Sequence, residues 1–528
     1  MSFESRLAIK PASLPDVSVQ SAAVTKDGEH TYGQILRSSA LIGGSSILVL
    51  AIGIARTKAM ALMLGPSGFG LFSLYGSIAD VAISLAGMGV RNGGVRQIAE
   101  SVGSDDTAQI ARTVTVLRRI STLLAMSGGV LLVVFSPLVS TLTFGNDQHV
   151  GAVALLSLAV LFSVIAGAQQ ALIQGMRRIS DLARMGVLGA LLGTSITIPT
   201  VYLLHEDGVA PSLVAVAALS LLTSWWYSRK VRIESSPMTV VQIRQEAASL
   251  IHLGLAFMAS GFLMMGAAYA VRIIVLRNAG LEAAAFYQAA WTLGGLYVGF
   301  VLQAMGTDFY PRLVGAAKDN PLCTRLVNEQ AQVSLLLAGP GVLATLTFAP
   351  LVTTLFYSAE FDAAVGLLRW ICLGMTLRVI TWPMGFIIVA QGRQAIFFAT
   401  ELAWTLVSVG LAWLSVGAFG LNGAGIAFFG SYVFHAFMIY PIVRVLSGFR
   451  WSPVNRKTAF LFLLSIAFVF GSFHVLPPLL ATSLGVTATV LSGMHSIRTL
   501  LTLVAPARIP SSAWRLLELF RRARTGLK

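Results

Sequence analysis

The sequence predicts an all-α polytopic membrane protein, with about fourteen transmembrane helices in two pseudo-symmetric six-helix bundles plus two C-terminal helices. Three observations predict this. The chain is 56% hydrophobic and only 11% charged over 528 residues, with mean hydropathy +0.78. Soluble domains carry about 25% charged residues, so this chain has too few to cover a water-facing surface. Apolar runs long enough to span a bilayer, about 17–25 residues each, recur along the whole sequence. Finally, the basic residues alternate between the loops in the pattern that membrane topology demands.

The runs fall near 38–63, 68–90, 117–142, 150–174, 183–204, 209–228, 249–276, 284–309, 331–357, 364–390, 395–417, 424–446, 458–476 and 480–504. They lack period-2 alternation and are too long for barrel strands, so each reads as a helix. Residues 1–32 are expected to form a disordered cytoplasmic tail, 33–230 and 249–446 the two bundles, and 231–248 a cytoplasmic linker. The two added helices occupy 447–504, and 505–528 reads as a basic amphipathic cytoplasmic tail. Residues 1–30 hold no apolar run, so no cleavable signal peptide is expected.

With the N-terminus placed inside, 30 of the 37 Lys and Arg fall on inner segments and essentially none in outer loops. The outer loops instead carry Asp147, Glu206, Asp207, Glu282, Glu360 and Asp362. This positive-inside bias accounts for the net charge of +15 without a nucleic-acid partner. It predicts a multi-pass membrane protein with both termini cytoplasmic. Cys323 and Cys372 lie far apart, in an inner loop and in a span, so neither a disulfide nor a metal site is expected, and no cofactor.

A weak repeat underlies the two halves. Phe135–Asn146 reads FSPLVSTLTFGN and Phe348–Ala359 reads FAPLVTTLFYSA, with six of twelve positions identical. Gln174-Gly175 matches Gln391-Gly392, and Gly65 matches Gly280, at nearly the same offset. Two equal halves suit alternating access around a site near the midplane.

The stretch LGPSGFG (64–70) looks at first like a phosphate loop. It lacks the preceding strand and the terminal Lys-Ser/Thr that such a loop needs. Between two spans it reads as a helical turn, with Gly65 ending one helix and Pro66 unable to continue it. LGPSGFGLFSLYGSIAD with GMGVRNGGVRQIAE (87–100) resembles the first hairpin of the polysaccharide-transport flippases, in the multidrug/oligosaccharidyl-lipid/polysaccharide exporter superfamily. GLNGAGIA (420–427) resembles another of that family's recurrent stretches, and the O-antigen translocases look most similar. The resemblance covers roughly residues 33–450. It implies transport of an undecaprenyl-diphosphate-linked oligosaccharide, for O-antigen, lipopolysaccharide or exopolysaccharide, from the inner to the outer leaflet. It leaves open whether the protein works alone or beside a polysaccharide polymerase and ligase.

Seven cations remain embedded: Arg56, Lys58, Arg272, Arg277, Arg369, Arg378 and Arg498. An Arg at a helix centre costs about 2.5–3.5 kcal/mol on insertion scales, so it should face a polar cavity or a partner. Arg277, Arg369 and Arg498 lie close enough to an interface to snorkel. At about 100° per residue, Arg56 and Lys58 point roughly 160° apart, so one of the two can face a cavity squarely. Substrate contact is therefore expected from Arg272 and Arg378, with Lys58 or Arg56. Asp80, central in the second span, reads as their counter-ion or as a titratable coupling group. Glu401 is expected to have a local partner or solvent, and His435 to be packed and hydrogen-bonded. Two other functions compete. A cation-coupled multidrug exporter of the same superfamily would need embedded acids to dominate, whereas here cations do. A membrane enzyme such as a polymerase or ligase would need a large outer loop, which the sequence lacks.

Overall fold

The turn expected at Gly65-Pro66 is present in the computed structural model. Gly65 adopts φ 61°, ψ −172°, a conformation open to glycine, and breaks the helix α1 (Ser21–Gly87) into two spans. The structure describes residues 21–104, 106–231 and 238–503. Most of the expected N-terminal tail and the basic C-terminal tail lie outside them. Within them the chain is almost wholly helical, without strands. After α1 come α2 (Val90–Gly103), α3 (Thr107–Val134), α4 (Ser136–Phe144), α5 (Val150–Gly175), α6 (Ile179–Leu204) and α7 (Val209–Ser228). The second half holds α8 (Val240–Ala279), α9 (Leu281–Gly315), α10 (Asn320–Thr347), α11 (Ala349–Phe356), α12 (Ala364–Ala390), α13 (Gln394–Phe419) and α14 (Leu421–Ser447). The final pair is α15 (Pro453–Val475) and α16 (Pro478–Leu503).

Ten stretches among the described residues are long and apolar enough to cross a membrane, or up to eleven if the bent α10–α11 pair is one span. Two of the ten, Gly44–Gly87 and Ile179–Ser228, each contain a break, at Gly65 and at the 3₁₀ turn His205–Gly208. The fourteen crossings expected from the sequence exceed what length and hydropathy establish. Two expected boundaries also move. α1 is helical from Ser21, inside the tail expected at 1–32. α8 starts at Val240, inside the linker expected at 231–248, because Thr239 and Gln242 form a reciprocal capping box there.

The repeat is structural. In the first half α1 packs on α6, α3 on α5, α5 on α7 and α6 on α7. In the second, α8 packs on α13, α10 on α12, α12 on α14 and α13 on α14, the same pattern in the same order. Left-handed backbone recurs at a spacing of 215 residues: Gly65 and Gly280, Arg177 and Gly392, His205 and Gly420. The two matching sequence stretches are matching short helices. α4 and α11 each follow a phenylalanine cap, Phe135 or Phe348, and each carries a proline in its first turn. A first-turn proline needs no N–H partner, so it starts a new helix while blocking continuation of the previous one. At the second site the axis bends by 83°. The added helices α15 and α16 both pack on α10, where the Phe462 ring fills the space above Gly339 and Gly485 lies against Thr347.

The two bundles meet in two different ways. At the Gly65 end the contact is broad. Phe69 sits edge-on to Tyr357 and Phe361, with ring centroids 5.4 and 5.7 Å away. Gly70 lies so close to the Leu281 carbonyl that a Cβ would stand 2.5 Å from its oxygen. Ser67 donates to Glu282 at 3.2 Å. At the opposite end, among the described residues, α8 is the one helix of the second bundle that packs closely on α2 and α3. Gly89 and Gly254 make that approach possible, since a Cβ on Gly89 would fall 2.0 Å from the Gly254 carbonyl oxygen. Gln97 donates to Ser249 at 2.7 Å and Gln109 to Glu246 at 2.8 Å across the same contact.

Candidate functional site

Arg378 lies near the middle of α12, fourteen residues from Ala364 and twelve from Ala390, hence about 20 Å from either end. Its guanidinium makes no hydrogen bond or ion pair among the described residues. It lines a cavity of about 370 Å³ together with Glu401, Trp404, Tyr432 and His435. Met264, Arg378, Trp404 and Tyr432 also line an adjoining space of about 80 Å³ that extends to Tyr287 and Trp291. Helix geometry explains the grouping. Glu401 and Trp404 are three apart on α13, and Tyr432 and His435 three apart on α14, so each pair shares a face. α13 and α14 pack on one another and α14 packs on α12, which turns those faces toward Arg378. Glu401 and Arg378 feel one another electrostatically without reaching salt-bridge distance.

Two members of this cavity are also unpaired. Trp404 Nε1 and His435 Nδ1 are buried and have no protein partner. The histidine expected to be packed and hydrogen-bonded is packed, but its Nδ1 is left open. The glutamate expected to have a local partner or solvent lines the same cavity as the deepest arginine. Sequence reading missed Glu401, Trp404 and His435 as a group. The i, i+3 spacing on two consecutive spans was the signal available for them.

Arg272 lies elsewhere, at the seam between the bundles. From α8 it donates through Nε to Gln288 of α9 at 2.9 Å and through a terminal nitrogen to Ser77 of α1 at 2.7 Å. Asp80 stands one turn beyond Ser77 on the same face of α1, exposed and without a hydrogen bond or ion pair among the described residues. Its field and that of Arg272 act on each other. Tyr287 is the link between the two places, since it lies within the field of Arg272 and lines the space beside Arg378. Arg272 and Arg378 thus do not share one cavity wall.

The two cations of the first span take different places. Lys58 Nζ donates to the Leu355 carbonyl at 2.6 Å and to that of Thr354 at 3.3 Å, at the C-terminus of α11. Exposed carbonyls and the helix dipole make that end negative, so it attracts a cation. Arg56 points between α6 and α7, 4.0 Å from the Cβ position of Gly193, and has no hydrogen bond or ion pair among the described residues. Two arginines expected to snorkel, the exposed Arg277 and the half-buried Arg369, also meet partners on other elements. Arg277 donates to the Thr141 and Leu142 carbonyls at the end of α4, the second at 2.9 Å. Arg369 lies 3.7 Å from the centre of the Phe473 ring of α15. Among the described residues no group of His, Cys, Asp and Glu is arranged to hold a metal ion.

The chain resembles known proteins in both sequence and fold. A family model described as "polysaccharide biosynthesis protein" matches residues 59–366. The lipid III flippase of Escherichia coli (strain K12) is 22% identical over 419 residues, covering 76% of this chain and 95% of the relative, and that of Shigella flexneri matches equally. The lipid II flippase MurJ in an inward closed conformation superposes with TM-score 0.63 at 12% identity, covering 87% of this chain and 99% of MurJ. An inward-facing multidrug resistance MATE family transporter of the MOP superfamily superposes with TM-score 0.61 at 18% identity, covering 78% and 99%. The fold is therefore that of the MOP superfamily, and with more than half of its length matched by the family model the chain belongs to the polysaccharide biosynthesis protein family.

Proposed function

We propose that this protein is a flippase that carries an undecaprenyl-diphosphate-linked oligosaccharide, an O-antigen or exopolysaccharide repeat unit, from the inner to the outer leaflet of a bacterial inner membrane. It is a transporter and not an enzyme. The observation that carries the reading is the unpaired Arg378 guanidinium, held at mid-helix in an internal cavity. A cation at mid-span without a partner is costly even when half-buried, and an arginine fork matches phosphate oxygens. The reading is supported by the flippase names of the relatives. Arg272 would meet the same diphosphate at the seam as it passes between the bundles, with Asp80 as the resident counter-ion while no substrate is there. Lys58 and Arg56 would have no part in that contact in this conformation. With the termini cytoplasmic, the broad contact at the Gly65 end closes the outer side, and the single-helix contact through α8 leaves the bundles apart on the inner side. Substrate would enter there and leave after the bundles rock.

Deletion of the gene tests this. Lipid-linked repeat units are expected to accumulate on the inner leaflet and surface polysaccharide to disappear. Normal surface polysaccharide, in a strain with no second copy of such a transporter, rejects the proposal. The runner-up is a cation-coupled drug exporter. It is favoured by two embedded acids, Glu401 lining the cavity and Asp80 exposed at the seam without an ion pair. Dye efflux by the purified protein in vesicles, with no movement of lipid-linked sugar, would establish it instead.

A further inference from the structure

Three unpaired polar groups belong to the walls of one cavity: the half-buried Arg378 guanidinium and the buried Trp404 Nε1 and His435 Nδ1. Each buried polar group without a partner costs about 1–3 kcal/mol, so their gathering in one place needs an explanation. Beside them runs a continuous aromatic wall. Trp404 and Tyr432 have ring centroids 5.7 Å apart, Tyr432 and Phe428 5.0 Å, and Phe428 and Trp291 5.1 Å. The carboxylate of Glu401 completes the set. The volume, about 370 Å³, lies within the range of small-molecule sites, about 300–1,000 Å³.

A bare diphosphate would answer Arg378 alone. It would leave the aromatic wall unused and bring negative charge toward Glu401. An isoprenoid tail would suit the wall and leave every polar group unpaired. A pyranose ring joined to a phosphate satisfies all of them. Its C–H face lies on an aromatic ring, its hydroxyls donate to Glu401 and His435 Nδ1 and accept from Trp404 Nε1, and the attached phosphate meets Arg378. We propose that the cavity between α12, α13 and α14 binds the sugar ring next to the diphosphate, read by Trp404, Glu401 and His435. This inference rests on the flippase reading above and assigns the part of the substrate that this cavity takes.

Binding by the purified full-length protein in nanodiscs tests it, with two ligands compared. One is the lipid-linked oligosaccharide extracted from a host strain lacking the transporter, and the other is synthetic undecaprenyl diphosphate. Trp404→Phe keeps an aromatic ring and removes only the N–H, and Glu401→Gln removes only the charge. Both variants are expected to weaken the sugar-bearing lipid about tenfold, the cost of one hydrogen bond to a charged or buried group, and to leave undecaprenyl diphosphate within twofold. Arg378→Ala is expected to weaken both ligands. An equal loss for the two lipids in both variants, or no loss for either, overturns the sugar assignment and leaves the flippase reading standing. Wild-type protein that binds neither lipid overturns both. If Trp404→Phe does not fold, as judged by its melting temperature, Glu401→Gln alone decides.

Discussion

Arg378 shows how much one residue can say. Its position at the centre of a span already implied a cavity or a partner, because the hydrocarbon offers a cation neither. The structure supplies the cavity, with Glu401 in its wall. Arg378→Ala is expected to reduce transport at least tenfold, while Arg378→Lys retains part of it. Lysine keeps the charge and loses the fork that grips two phosphate oxygens at once. Rates of lipid-linked oligosaccharide translocation in vesicles measure this, and full transport by the alanine variant would remove Arg378 from the site. Arg378 was legible in the sequence because charge at mid-span is rare. Trp404 and His435 were not, because an aromatic residue or a histidine in an apolar helix is ordinary until its neighbours are known. The unpaired nitrogen that sets them apart is a property of the packed state.

Between elements, the outcome for Lys58 and Arg277 is the most instructive. Lys58 belongs to the first helix of the first bundle and caps α11 of the second. Arg277 belongs to the first helix of the second bundle and caps α4 of the first. The acceptors are Thr354 and Leu355 in one case and Thr141 and Leu142 in the other, which are equivalent positions of the repeated stretch. The two cations are therefore reciprocal clamps across the pseudo-symmetric interface, both at the Gly65 end. Each adds a charge-assisted contact to a helix C-terminus, worth about 1 kcal/mol in a partly exposed setting. Lys58→Met and Arg277→Met are each expected to loosen this end, and the double variant to do so more. Spin-label distances across the interface would lengthen or broaden accordingly. Unchanged distances in the double variant would mean that the aromatic cluster of Phe69, Tyr357 and Phe361 suffices by itself.

At the scale of the whole molecule, among the described residues one end is held by many contacts and the other by α8. Alternating access requires the first set to part and a second set to form. Ser67 and Glu282 lie in the first set, in direct contact. A Ser67→Cys/Glu282→Cys pair, once oxidised, is expected to stop transport, and reductant to restore it. The native Cys323 and Cys372 are buried and free, so they offer little competition for the oxidant. Unimpaired transport by the fully cross-linked protein would mean that this end does not open.

The sequence by itself determined the helical class, the embedding in a membrane, the repeat and the turn at Gly65, because hydropathy, glycine and proline act locally. Composition leaves no alternative to lipid as the main solvent, and Gly65-Pro66 can end a helix without help from distant residues. Only the tertiary structure decided which cation does what. Lys58 and its acceptors are 296 and 297 residues apart, and Arg272 finds Ser77 across 195. A helix constrains the direction of a side chain relative to its own axis. What stands in that direction depends on how the bundles pack, so Lys58 became a clamp, Arg272 part of the seam, and Arg378 the open charge of a cavity.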